Sequence, residues 1–390
     1  MNIKVSSFAS FLHEKDAFKK ENDNFIEEIS KYLGETIKYS SLDDYDCDIK
    51  LILIASGGSE NLFLSNIDIL KEPFYLLTTG KNNSLAASLE ILTYLNNNNL
   101  SGEILHGDIN YIASRIKDIC NKKDICDYPK LGVIGKPSDW LISSIPNRNK
   151  LEDLFKAKLV DISLDEVVDV YNKDNEFNNS LNGYDLLELN KSEKFVRAID
   201  IIVNKYNLEG LTIRCFDLLD KINTTGCLSL AKLNERGIIG TCEGDIMALI
   251  SMYLVKKLFG KSSFQANPSR IDVLNKEIDL AHCTCPIDML SEYKYDSHFE
   301  SGIGVAIKGK FGLDDVTVFR LSSDLKHYFI GEGKIVSNLD DPRQCRSQIR
   351  IKMNDDLSSL LNSPCGNHHI VFYGHKKDEL VKYLDDLLGR

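Results

Sequence analysis

Two Rossmann-like α/β domains built on parallel sheets, followed by a C-terminal β-rich, barrel-like domain, is the fold class this sequence predicts. Three observations carry it. Short apolar runs alternate with amphipathic segments over the first third of the chain, as in βαβ units whose sheet is covered on both faces. A second alternation of the same kind follows the turn-rich stretch "NKKDICDYPK". From about residue 290 the pattern changes to short β-branched and aromatic runs separated by turn residues, the spacing of an all-β unit.

The elements follow in order. "NIKVSSFA", "IKLILIA" and "FYLLTTG" read as strands, with "FIEEISKYLG" and "SLAASLEILTYL" as the helices between and after them. The loop "SGGSEN" leaves the second of these strands. This places an N-terminal α/β domain over 1–129. A central α/β domain is expected over 130–289, with the strand, turn and helix of "KLGVIGKPSDWLISS", the helix "EKFVRAIDIIVNKY" and the strand "GLTIRCF". The β-rich domain, 290–390, collects "GVAIKGKF", "DVTVFRLS", "KHYFIGEGKIV", "CRSQIRIKM" and "NHHIVFYG", and ends in the helix "KKDELVKYLDDLLG".

Bulk properties exclude several functions. With 47 Lys+Arg against 58 Asp+Glu the net charge is -11, the wrong sign for a nucleic-acid or anionic-membrane binder. Apolar runs such as "IKLILIA" are too short to span a bilayer, and "MNIKVSSFASFLHEK" lacks the apolar core of a signal peptide, so a cytoplasmic protein is expected. Ten cysteines without any Cys-x-x-Cys, Cys120 and Cys126 included, read as reduced thiols rather than a disulfide or zinc framework.

The chemistry-bearing stretch is "GIIGTCEGDIMALISMYLVKKLFG". Glu243 stands where a strand feeds a helix, the edge of an α/β sheet at which ligands bind. Asp245 is placed to cap that helix, and Lys256, Lys257 and Gly260 mark its end. Elsewhere His282 closes an apolar run in "DLAHCTCPID", and His368 and His369 precede a strand. Adjacent strand residues face opposite ways, so one of that pair at most can reach a given site. Together with an acid or amide of "FQANPSRID", these residues make a mixed carboxylate and imidazole set, suited to Mn²⁺ or a similar divalent ion.

The chain resembles the L-fucose and L-arabinose isomerases, in particular the short relatives of the fucose isomerase family. The resemblance lies in "LILIASGGSEN", "GEILHGD", "LGVIGKPSDWLI", "GLTIRCFDLLDKINTTGCLSLAKLNERGIIGTCEGDIMALISM", "LAHCTCP", "HFESGIGVAIKGKFG" and "GNHHIVFYG". It implies aldose–ketose isomerisation of an open-chain sugar through a cis-enediol, with a divalent metal, usually Mn²⁺. It assigns metal ligands to Glu243, to His282 and to His368 or His369. The family's second acid falls on Asn267, with Asp272 five residues on. An amide oxygen can ligate a metal but cannot act as a base, so either Asp272 supplies the missing acid or the chemistry uses fewer carboxylates. Glu243 would then move the carbon-bound proton, and Asp272 the hydroxyl proton.

The resemblance also implies a homo-oligomer in which the N-terminal domain of one subunit closes the site of another, bringing Ser59 and Glu60 to the sugar. Trp140 offers an aromatic face to a sugar, and Lys136 and Arg214 offer charge to an anionic substituent such as a sulfonate or phosphate. Deoxy sugars and pentoses are the other substrate classes expected. The rival readings are a cytoplasmic sugar-binding protein, an inactive relative, and an epimerase or lyase using the same metal site.

Overall fold

The computed structural model describes residues 1–10, 15–98, 100–125 and 128–390. The chain divides into two units, Met1–Tyr128 with Asn147–Lys150, and Pro129–Pro146 with Leu151–Arg390.

The first unit runs β1 (Ile3–Phe8), α1 (Lys15–Leu33), β2 (Ile37–Tyr39), β3 (Ile49–Ile54), α2 (Glu60–Leu64), β4 (Phe74–Leu77), α3 (Ser84–Asn97), β5 (Gly102–Leu105) and α4 (Ile109–Ile125). Its five strands are parallel, in the order β2-β1-β3-β4-β5. β3 lies at the centre, and all six residues of "IKLILI" are buried. A parallel strand covered on both faces has no solvent side on which to place alternating polar residues.

The second unit continues with β6 (Lys130–Ile134), α5 (Arg148–Phe155), β7 (Lys158–Ile162), α6 (Leu164–Lys173), α7 (Leu186–Tyr206), β8 (Leu208–Ile213), α8 (Asp217–Ile222), α9 (Cys227–Glu235), β9 (Ile239–Cys242) and α10 (Ile246–Phe259). Strands β7-β6-β8-β9 form a parallel sheet. Then come β10 (Phe264–Asp272), β11 (Glu277–His282), β12 (Leu290–Asp296), β13 (Ala306–Phe311), β14 (Asp315–Leu321), β15 (Tyr328–Asn338), β16 (Ser347–Met353), α11 (Ser358–Asn362), β17 (His369–Tyr373) and α12 (Lys377–Leu388). Six of these strands close an antiparallel barrel, β10-β11-β16-β15-β14-β17, and β12 and β13 pair as a separate ribbon.

Two expectations differ from this. The β-rich part opens at Phe264 rather than near residue 290, because β10 and β11 pair with β17 and β16 from the end of the chain. Those partners lie between 65 and 107 residues away, so local pattern cannot reveal them. The helix expected after "KPSDW" is absent: Lys136–Pro146 is irregular, held by turns from Leu141 N–H to Ser138 O and from Ser144 N–H to Leu141 O. Pro137 and Pro146 bracket the segment, and proline supplies no amide hydrogen for a helix interior.

The apolar helix α10 is buried at every position from Ile246 to Val255. One core cluster explains why: it joins sheet residues Leu131 and Val133, most of α10, barrel residues Phe319 and Phe372, and Leu380 and Leu384 of α12. A helix with a sheet on one side and a barrel on the other has no polar face. Among the described residues no helix is long and apolar enough to cross a membrane. The nine described cysteines are free thiols, and Cys126 lies outside the described residues.

Candidate metal centre

The site is built where β9 turns into α10. Glu243 and Gly244 both adopt left-handed backbone, at φ 65° and 69°. For a glutamate this conformation costs on the order of 1 kcal/mol, so the surroundings must hold it. They do so through the irregular segment after β6 and the end of β8: Ser138 N–H donates to Glu243 O and Gly244 N–H to Ile213 O, both at 2.9 Å. Position 244 accepts only glycine, since a Cβ there would lie 2.6 Å from Lys136 O. On the barrel side, Gln265 of β10 accepts from Cys242 N–H at 2.8 Å. Asp245 then caps α10, its Oδ1 accepting from Ala248 N–H at 2.9 Å.

His282 ends β11 and His368 immediately precedes β17. Ligand atoms of Glu243, His282 and His368 all lie within 4.8 Å of one another, and all three residues are buried. His368 Nε2 stands 3.5 Å and His282 Nε2 4.0 Å from Glu243 Oε1. The opposite ring nitrogens are occupied: His368 Nδ1 lies 2.8 Å from Asp245 Oδ2, and His282 Nδ1 3.0 Å from Thr284 Oγ1. A carboxylate behind an imidazole fixes its tautomer and ring orientation and strengthens it as a ligand. Asp245 is itself paired with Arg320 Nη1 at 2.9 Å, both side chains being fully buried. Trp140 Nε1–H donates to Glu243 Oε2 at 2.6 Å.

The electrostatics match a cation site. Burial opposes the charge on Glu243, but His368, His282 and Trp140 outweigh it and hold the carboxyl down at about 2. Burial, with help from His368, pushes His282 down to about 3, so its lone pair is free at neutral pH. Burial also opposes a charge on His368, yet its bond to Asp245 and the nearby Glu243 carboxylate raise it to about 9. A proton thus sits where positive charge is wanted. His368 Nε2 and Asn267 Oδ1 are buried without hydrogen-bond partners, and the ladder that pairs Ala266 with His369 sets Asn267 beside His368. Two imidazoles, a carboxylate and an orphaned amide oxygen fit a borderline or hard divalent ion.

Other residues named from sequence fall elsewhere. His369 points into the barrel, its ring edge-on to Phe329 and its Nδ1 2.9 Å from Asn367 O. The structure does not bring Asp272 to the group. It lies at the far end of β10, about 17 Å along the strand from Asn267 at the usual rise, and its carboxylate takes Arg270 Nη2 at 2.5 Å and Asn275 N–H at 2.9 Å. Arg214 spends its donors on Asp217, Asp139 and Pro137 O, which ties the "KPSDW" loop to the end of β8. Lys136 is exposed, 3.9 Å from Asp139. Ser59 and Glu60 belong to the first unit, where Ser59 Oγ donates to Ser56 O at 2.7 Å and Glu60 opens α2.

Sequence reasoning overlooked Thr284, Arg320 and the second role of Asp245. The signal for Arg320 was present: a lone arginine inside the apolar run "DVTVFRLS" must find an anion when buried.

No protein-family model matches the chain. It is a distant relative of curated sulfoquinovose isomerases: 27% identical over 210 residues to that of Clostridium sp. (strain MSTE9), covering 50% of this chain and 46% of that protein. The protein of Priestia aryabhattai is 22% identical over 202 residues, covering 49% and 45%. That of Alkalicoccus urumqiensis is 23% identical over 216 residues, covering 51% and 48%. The matches span about half the length of these relatives.

Proposed function

We propose that this protein is a metal-dependent aldose–ketose isomerase acting on an open-chain sugar with an anionic substituent, through a cis-enediol. The observation that carries the reading is the convergence of His282 and His368 on Glu243, with each ring's other nitrogen held by Thr284 or Asp245. The distant relatives, named for isomerisation of a sulfonated sugar, favour a sulfonate over a pentose or deoxy sugar.

A divalent ion such as Mn²⁺, held by Glu243, His282 and His368 with Asn267 Oδ1 beside them, supplies Lewis-acid stabilisation of charge developing on the sugar oxygens. Glu243 is the proton carrier between C2 and C1. Its carboxyl, held at about 2 by His368, His282 and Trp140, is ionised at neutral pH, the form a base must have. The Trp140 hydrogen bond fixes Oε2 and orients the group. Lys136, exposed at the same strand edge, is the candidate counter-charge for the sulfonate, whereas Arg214 is already neutralised by two carboxylates. Assembly into a homo-oligomer, with Ser59 and Glu60 of one copy facing the sugar of another, belongs to the same proposal.

The test is incubation of metal-stripped and Mn²⁺-reconstituted protein with sulfoquinovose, L-fucose and L-arabinose in deuterium oxide. Metal-dependent exchange at C2, lost in Glu243→Gln, is the expected result, with metal lost in His282→Ala. Bound sugar without exchange under any metal would overturn the isomerase reading and leave a binding protein.

A further inference from the structure

An enediol reaction moves two protons, one on carbon and one between oxygens. Glu243 can carry the first. With Asp272 about five strand residues from Asn267 and bonded to Arg270 and Asn275, and an amide at position 267, the described metal group holds no second carboxylate base.

The loop between β12 and β13 supplies another group. His298 is buried to within 8% of full cover, and its backbone is pinned by His298 N–H to Ile303 O at 3.1 Å and Gly302 N–H to His298 O at 2.9 Å. Its ring stands edge-on to Phe216, 5.6 Å between centroids, and Phe216 stands edge-on to Trp140 at 5.0 Å. Trp140 is the residue bonded to Glu243. An unbroken wall of rings therefore runs from the proposed base to His298. The imidazole also feels the Glu243 carboxylate, although burial and Arg346 dominate and keep it neutral by lowering its pKa.

The tautomer follows from its partners. Nδ1 faces Ser301 N–H at 3.4 Å and Ser301 Oγ at 2.9 Å. A backbone N–H can only donate, so Nδ1 is the acceptor. Ser301 Oγ meanwhile faces Ile303 N–H at 3.5 Å, which leaves its own hydrogen for Nδ1. The neutral ring therefore carries its proton on Nε2, for which the described residues offer no partner. A neutral imidazole N–H working together with a carboxylate base is a known arrangement for enediol chemistry.

We propose that His298 is the second catalytic residue, relaying the hydroxyl proton between O2 and O1 of the sugar through Nε2; the inference rests on the isomerase reading. The C2 proton passes to Glu243 as the C1=C2 bond forms and the C1 carbonyl electrons move to O1. O1 takes the Nε2 proton, and the proton of O2–H replaces it on Nε2. Glu243 then returns its proton to C1 while the O2 electrons form the ketose carbonyl. Imidazole and carboxylate both end as they began.

The experiment uses Mn²⁺-reconstituted protein with sulfoquinovose in deuterium oxide, comparing wild type, His298→Asn and His298→Gln for bound Mn²⁺, kcat and KM of ketose formation, and exchange at C2. Expected in both variants are unchanged Mn²⁺ content, kcat lower by about 10²–10³-fold, KM within about threefold, and C2 exchange outrunning ketose formation. Two variants guard against one misfolding. Retained Mn²⁺ with kcat within about threefold of wild type overturns the proposal, as does an equal fall of exchange and ketose formation, the mark of a merely structural role. Absence of metal-dependent exchange in wild type sinks the isomerase reading itself, and this inference with it.

Discussion

Replacing Asp245 with asparagine tests the support beneath the candidate metal centre. The carboxylate does three things: it caps α10 through Ala248 N–H at 2.9 Å, neutralises Arg320 at 2.9 Å and orients His368 at 2.8 Å. Asparagine is as good a cap as aspartate, so the substitution isolates the loss of charge. Arg320 is fully buried, and leaving such a charge without its partner costs about 3–5 kcal/mol. That is a large share of the ~5–15 kcal/mol that holds a typical protein folded. Asp245→Ala should cost about 1 kcal/mol more, through the cap. Loss of the carboxylate behind His368 should weaken Mn²⁺ binding by about 10–100-fold. The double variant Asp245→Asn/Arg320→Met removes both charges and should regain most of the stability, since a buried pair is replaced at little net cost, without regaining the metal affinity. Urea unfolding of metal-free protein and calorimetric titration with Mn²⁺ measure the two effects. If Asp245→Asn unfolds within about 1 kcal/mol of wild type, or the double variant recovers metal affinity, the reasoning fails.

Gly244→Ala should destabilise by about 2–3 kcal/mol, because its φ of 69° is strained for alanine and its Cβ would meet backbone at 2.6 Å; thermal unfolding reads this, and an unchanged midpoint would contradict it. Trp140→Phe removes the donor on Glu243 Oε2 and should slow C2 exchange by about tenfold with stability nearly unchanged, since the ring is half exposed. Asp272→Asn should leave exchange unaltered. His368 is raised from 6.5 to about 9, so in metal-free protein its contribution to stability is complete below pH 6.5 and lost as pH rises through about 9. Saturating Mn²⁺ should abolish that loss, because the ion binds the deprotonated ring; unfolding at several pH values, with and without Mn²⁺, checks the sign.

Much of the fold was legible because its signals are local. Apolar runs and helix periods marked the two parallel sheets, and Asp245 and Gly260 marked the ends of α10. Glu243 stood out because an acid at a strand-to-helix elbow is a recurrent place for a ligand. The barrel's true start was not legible, since β10 and β11 find their partners at the end of the chain. Period-two geometry allowed one histidine of the pair 368–369 at a site, but it could not say which. The choice follows from register: Ala266, the partner of His369, lies in the barrel core, so His368 faces the other way.

By itself, then, the sequence determined the succession of elements, the cap and stop of the buried helix, and a short set of residues from which a metal centre could be drawn. Only the tertiary structure decided which of them meet. It placed Asp272 at the far end of β10 on Arg270 and Asn275, committed Arg214 to two aspartates, set Asp245 behind His368, and linked His298 through Phe216 and Trp140 to Glu243. The physical reason is that ligation and proton transfer require atoms a few ångströms apart, and those distances are set by strand register and packing between residues up to 125 positions distant.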